Sequence, residues 1–217
     1  VYFPFSKDDR RKQNRSVVVS PHGGSSDGPH PSLPFHAGQY GRDCEEKILG
    51  IIMSATYSLS HYQAVSDVES DHFWFRARTA MIILLVNTFG PKNGRRTFLE
   101  VGCGTGIVLV AMRKLGFRVT GLDVNQAALR YARVSCPSAQ LVRQSLYSFS
   151  RSRRFQVVVA FDVLEHQAQD VLFLKRCYDL LEEGGTLFLT VPAGMWLWSN
   201  LDDLSGHKRR YEMVDLR

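Results

Sequence analysis

The stretch Thr97–Gly106, TFLEVGCGTG, decides the fold. An apolar run ends in a carboxylate, Glu100, and glycine then takes alternate positions: Gly102, Gly104 and Gly106. A strand that runs into a glycine-rich turn and then a helix is a ligand-binding device. Glycine admits positive φ and lets a ligand approach the main chain closely. The helix start adds N–H groups that have no partner inside the helix. Side chains are stripped here because something has to touch bare backbone.

The usual occupant of such a turn is a dinucleotide pyrophosphate. Three details bear on that. The dinucleotide fingerprint, G-x-G-x-x-G, needs glycine or alanine at position 107, and Ile107 stands there. Glu100 precedes the turn, where a carboxylate repels a pyrophosphate but attracts an ammonium or sulfonium. Asp123 ends the next apolar run, "RVTGLD", where a carboxylate accepts hydrogen bonds from both ribose hydroxyls. The last feature suits NAD as well. Together the three point to a nucleoside that carries positive charge and no phosphate.

Outward from the turn, strands and helices alternate. "DHFWFRARTAMIILLVNTFG" predicts a helix with Asp71 near its start and Gly90 past its end. Strands are expected at Thr97–Val101, Arg118–Asp123, Gln140–Arg143, Phe155–Phe161 and Thr186–Val191. Helices are expected at Thr105–Leu115, at Gln126–Val134 with Asn125 as its cap, and along Val171, Leu174, Tyr178 and Leu181, closed by Gly184-Gly185. "FQVVVAF" is apolar throughout, as in a parallel strand covered on both faces. This order implies an α/β fold with a doubly wound, mostly parallel, Rossmann-like sheet. Right-handed crossovers put every strand C-terminus on one edge, where ligands bind.

"FLEVGCGTG", "VTGLDVN" and "FDVLEH" together resemble the class I S-adenosylmethionine-dependent methyltransferases, and most nearly the small-molecule branch that includes ubiquinone-biosynthesis enzymes. The resemblance covers roughly Asp71 to Arg217. It implies S-adenosylmethionine as cofactor, lying on Glu100, Gly102, Cys103, Gly104 and Gly106. It implies Asp123 on the ribose, Val124 beside the adenine, and Phe161 and Asp162 lining the site. Ser145, in "QSL", stands where the family often has an acidic residue near the adenine amine. "HFWFRART" resembles a helix that some bacterial members lay across the cofactor. "WLWSNLDDLSGHKRRY" resembles the segment after their fifth strand. In those members a final helix and two more strands follow, so this chain resembles a domain lacking its last strands. The strand at Thr186–Val191 is therefore expected to have an open edge, with poor solubility as the result.

Methyl transfer from a sulfonium asks mainly for proximity and orientation, and for a base only when the acceptor must lose a proton. His166, after the fourth strand, and His207, in "GHKRRY", are the acid–base or acceptor-positioning candidates. Trp196, Arg209 and Tyr211 are the acceptor-site candidates, with Arg209 and Arg210 suited to an acidic acceptor. Trp196 and Trp198 alternate as in an extended segment. Phe73, Trp74 and Phe75 read mainly as core, with Phe73 and Arg76 on one helix face and Trp74 and Arg78 on another. His72 reads as structural. Cys103 reads as small packing between glycines, with no base beside it. No cluster of His, Cys or Asp has metal-ligand spacing in the chain, so no catalytic metal is expected.

The 217 residues suffice for one domain with a core. The net charge of +6 is scattered, without the continuous stripe of a nucleic-acid surface. The four cysteines share no disulfide-like spacing and are expected to be reduced thiols in a cytoplasmic protein. No apolar run is long enough to span a bilayer. Five of the eight prolines fall between Pro4 and Pro34. Residues 1–52 are therefore expected to be a disordered or non-native leader before a domain at 53–217, with Met53 a natural start. The reading is methyl transfer to a small-molecule acceptor, by O- or C-methylation, with oligomeric state left open. Its rivals are an NAD(P)-dependent oxidoreductase and a catalytically inactive cofactor-binding fragment. A nucleic-acid methyltransferase is weaker still, for want of an aromatic-proline motif.

Overall fold

The structure is a computed structural model that describes Tyr2–Ser6 and residues 58–216. Numbered along the chain, the strands are β1 (Tyr2–Ser6), β2 (Thr97–Val101), β3 (Arg118–Asp123), β4 (Gln140–Arg143), β5 (Phe155–Phe161) and β6 (Leu181–Thr190). The helices are α1 (Leu59–Val68), α2 (Phe73–Phe89), α3 (Ile107–Lys114), α4 (Gln126–Ser135), α5 (Asp170–Asp179) and α6 (Asn200–Ser205). The sheet order is β1-β6-β5-β2-β3-β4. All neighbours are parallel except β1, which runs antiparallel to β6. The expected α/β doubly wound sheet is therefore present.

Alternation along each strand builds two cores. Phe98, Val157, Val159 and Phe188 face one way, against Ile82, Leu85 and Val86 of α2 and Leu109 and Met112 of α3. Leu99, Val158, Leu187 and Leu189 face the other way, against Phe173 and Cys177 of α5. All seven residues of β5 are buried, as its unbroken apolar run requires. The order reverses about β2, whose neighbours are β3 and β5. A crevice outside the strand C-termini is expected at such a reversal, and it falls at Glu100 and the glycine turn.

Local chemistry sets the ends. The Asn125 side chain accepts the Ala127 N–H at 2.8 Å and caps α4. His72 caps α2 by accepting the Trp74 N–H at Nδ1, 3.2 Å away, which gives this histidine its structural role. Gly90 ends α2 as read from the sequence.

Four expectations are corrected. The fifth parallel strand begins at Leu181, not Thr186, because Leu181 pairs with Phe155 across a register shift in β5. Gly184-Gly185 therefore lie within β6, and α5 stops at Asp179. The free edge of β6 is covered, since Tyr2–Ser6 pair with Thr186–Thr190. These five residues form a strand where disorder was expected; the rest of the supposed leader, residue 1 and residues 7–52 with Cys44, lies outside the described residues, as do residues 53–57 with Met53. Finally, the aromatic run is not core: Phe73 is 77% exposed and Trp74 49%. Among the described residues, no helix is long and apolar enough to cross a membrane.

Candidate functional site

The turn after β2 is held from below. The Gly102 and Cys103 N–H groups both donate to the Leu122 carbonyl of β3, at 2.7 and 3.2 Å. Gly102 has φ +73°, and a Cβ there would lie 2.6 Å from Val163 Cγ2. Gly104 differs: its φ is +52°, yet nothing lies within 4 Å of where a Cβ would stand. The space above Gly104 is free for a ligand. Gly106 caps α3 in the left-handed region, and the helix itself begins at Ile107, two residues later than the Thr105 start read from the sequence. Cys103 is buried against Gly121, and burial pushes its thiol far above the usual range. It packs and does not attack.

Asp123 closes one side of this space. Its Oδ2 accepts the Gly104 N–H at 3.0 Å and its Oδ1 accepts the Asn125 N–H at 2.8 Å. Each oxygen keeps a lone pair for a further donor. Desolvation raises its pKa, and those N–H donors oppose the rise. Val124, the next residue, is 65% exposed beside it. The Gln144 N–H donates to the Asp123 carbonyl, which brings the following residue, Ser145, next to this corner. Ser145 Oγ accepts the Tyr147 N–H at 3.3 Å.

Glu100 is buried at the end of β2, and its Oε2 has no hydrogen-bond partner among the described residues. Burial pushes its carboxyl up to about 8; Arg78 opposes this, while Asp123 and Glu69 add to it. Two more carboxylates complete the ring: Glu69, which the sequence reading missed, and Asp162, which the resemblance had placed at the site. Glu69, at the end of α1, accepts the Thr105 hydroxyl at 2.5 Å. Asp162, at φ +57°, accepts the Thr190 hydroxyl at 2.7 Å and pairs with Arg78 at 2.6 Å. Arg78 was also missed as a site residue. It reaches from α2 past the Trp74 ring (5.5 Å) to the Phe161 ring (5.8 Å). Phe73 and Arg76 of α2 line a cavity of about 680 Å³ with Glu69, Thr79 and Ile107. The two faces foreseen for this helix are both present.

The acceptor-side candidates are placed as follows. Met195–Leu197 form a 3-10 turn, so the two tryptophans do not sit in an extended segment. Trp196 is 81% exposed, while the Trp198 indole N–H donates to Asp203 Oδ1 at 3.2 Å. Arg209 pairs with Asp170 at 2.7 Å and donates to the Ala168 carbonyl. Tyr211 is buried, with its hydroxyl near the Leu164 carbonyl and Asp170, and burial raises its pKa well above the usual phenol. Arg209 and Tyr211 thus tie the last segment to the loop after β5. Arg210 grips Asp202 through both oxygens, at 2.8 and 2.9 Å. His166 and His207 meet edge to face, with ring centroids 4.9 Å apart.

A bent backbone with open space above it, an unpartnered buried carboxylate and a ribose-ready aspartate fit a cationic nucleoside. Residues 73–215 match a protein family described as "Methyltransferase domain". The chain belongs to that family. This methyltransferase domain confirms the resemblance to class I S-adenosylmethionine-dependent enzymes drawn from its motifs. A ubiquinone biosynthesis O-methyltransferase of Thiobacillus denitrificans is 32% identical over 111 residues, covering 48% of this chain and 47% of that one. The crystal structure of Streptomyces venezuelae DesVI is similar at 26% identity and TM-score 0.50, covering 57% and 53% of the two chains. A Methanococcus maripaludis protein shares the fold at 17% identity and TM-score 0.54, over 69% and 70%. The chain spans about half the length of the curated relatives it matches.

Proposed function

We propose that this methyltransferase domain binds S-adenosylmethionine over Gly102–Gly106 and delivers its methyl group to an oxygen or carbon of a small-molecule acceptor. The observation that carries the reading is Asp123. Two backbone N–H groups fix its carboxylate at the end of β3, beside a turn whose Gly104 leaves open space.

When bound, the cofactor supplies an electrophilic methyl on a sulfonium. The chain supplies position. Asp123 accepts from the ribose hydroxyls, and Val124 offers an exposed apolar contact to the base. Glu100, with Oε2 free to accept, faces the amino group. Ser145 stands at the adenine corner. Asp162, pinned by Thr190 and Arg78, would line the cofactor crevice. The carboxylates outnumber Arg78, so the crevice favours positive charge. His166, His207 and Trp196 lie on the acceptor side. Oxygen is the favoured acceptor atom because the Thiobacillus denitrificans relative is an O-methyltransferase. The protein acts in the cytoplasm and does not bind nucleic acid.

A calorimetric titration with S-adenosylhomocysteine and with NADH tests the cofactor. The first should bind in one equivalent and the second should not. NADH binding with no heat from S-adenosylhomocysteine would favour the oxidoreductase. Methyl turnover from labelled S-adenosylmethionine onto a panel of small hydroxyl-bearing acceptors then separates an active enzyme from a binding fragment.

A further inference from the structure

Glu165, His166 and His207 bring one carboxylate oxygen and two imidazole nitrogens within 4.8 Å of one another. We propose that these three side chains bind a divalent transition metal ion of the zinc type.

The sequence hides the set because 41 positions separate His166 from His207. The 3-10 turn Leu164–His166 and the loop after α6 bring them together. The Lys208 N–H donates to the Glu165 carbonyl at 2.8 Å and fastens that contact. Glu165 is the telling member. Its side chain is 1% exposed, and Oε2 has no hydrogen-bond partner among the described residues. A buried carboxylate oxygen left bare is costly, and a cation beside it removes the cost.

The histidines are prepared as ligands. His207 Nδ1 lies 2.8 Å from Asp202 Oδ1, so the N–H donated there leaves Nε2 with its lone pair, 4.0 Å from Glu165 Oε1. Asp202 is itself held by Arg210 and the Ser199 N–H. A carboxylate behind a histidine in this way orients metal ligands and raises their basicity. His166 Nδ1 likewise faces the Gly206 carbonyl at 3.4 Å. Two imidazoles and one carboxylate suit zinc and leave coordination positions open. A tetrahedral ion holds its ligand atoms about 3.3 Å apart, so closure needs only small side-chain rotations. In the methyl-transfer reading, on which this role rests, an acceptor oxygen fills an open position.

The test uses the full chain after dialysis against a chelator. Zn²⁺ should bind in calorimetry with one equivalent at micromolar affinity or better. Co²⁺ should give visible bands without a strong thiolate band near 300–350 nm, which separates this site from the cysteines. His166→Ala and Glu165→Gln should each weaken Zn²⁺ binding by about 100-fold, and His61→Ala should not. Circular dichroism and S-adenosylhomocysteine affinity, measured on each variant, report whether it is folded. Where Glu165→Gln fails to fold, His166→Ala alone decides. Absent Zn²⁺ binding, or binding unchanged in a folded His166→Ala, overturns the metal site while intact S-adenosylhomocysteine binding leaves the cofactor reading standing. Loss of S-adenosylhomocysteine binding in the unmodified protein overturns the cofactor reading instead.

Discussion

Arg78 of α2 and Asp162 at the end of β5 meet at 2.6 Å although 84 residues separate them in the chain. The pair fastens the helix across the crevice. Asp162 is 42% exposed at its side chain, so the bond is screened and contributes about 0.5–1 kcal/mol. Arg78→Met should therefore leave the global unfolding midpoint nearly unchanged. Amide exchange along Phe73–Phe89 should quicken several-fold, as the helix opens locally. Mass-spectrometric exchange of that segment measures it. A uniform loss of protection across the sheet would contradict the local role.

Asp123→Ala should weaken S-adenosylhomocysteine binding by about 1–3 kcal/mol, the range for charge-assisted hydrogen bonds. The Gly104 and Asn125 N–H groups also lose an acceptor, so the turn should loosen. Calorimetry reports the affinity. An unchanged dissociation constant would remove the ribose assignment.

The glycines of the turn should separate stability from binding. Gly102→Ala places a Cβ 2.6 Å from Val163 at φ +73° and should cost about 1–3 kcal/mol of stability. Gly104→Ala meets no neighbour, so its cost is limited to the left-handed backbone, about 1 kcal/mol. Its new methyl stands in the ligand's space and should reduce cofactor affinity more than tenfold. Denaturant midpoints and titrations on both variants check the contrast.

Glu100 gives the pH dependence. Its carboxyl is raised from the ordinary 4.5 to about 8. Between those values the folded protein keeps a proton that the unfolded chain has lost. Stability therefore falls as pH rises through that window and levels off above about 8. Glu100→Gln should gain stability relative to the parent by more than about 1 kcal/mol between pH 5.5 and 8.5. Cofactor binding should show the reverse slope, because the ionised carboxyl pairs with the ligand's ammonium. Affinity of the parent should rise toward pH 8, and that rise should vanish in Glu100→Gln. Urea midpoints and titrations at both pH values measure the two slopes.

The cofactor half of the site was legible because it is local. Glu100, the glycines and Asp123 lie at strand ends that apolar runs mark, and the parallel fold brings such ends to one edge. Asn125 was legible as a cap for the same reason, while His72 was read only as structural and its cap to Trp74 emerges from the fold. What escaped depends on contacts between distant segments. Leu181 continues the helical spacing of Val171, Leu174 and Tyr178, so periodicity alone assigns it to α5; only its pairing with Phe155 puts it in β6. Phe73 and Trp74 read as core by composition, but α2 turns its Ile82, Leu85 and Val86 inward instead. Arg78 and Glu165 carry no signal of their own. Glu165 stands beside His166 in "DVLEHQ", and nothing in the chain says that His207 returns to it.

The antiparallel strand Tyr2–Ser6 has a bearing on handling the protein. It occupies the outward backbone groups of Thr186–Thr190, which would otherwise invite another molecule to add its own chain there. Trimming these five residues should leave the crevice chemistry alone yet make the preparation self-associate, and light scattering against concentration would show it. An expression clone shortened to residues 58–217 would then lose this cover against clumping.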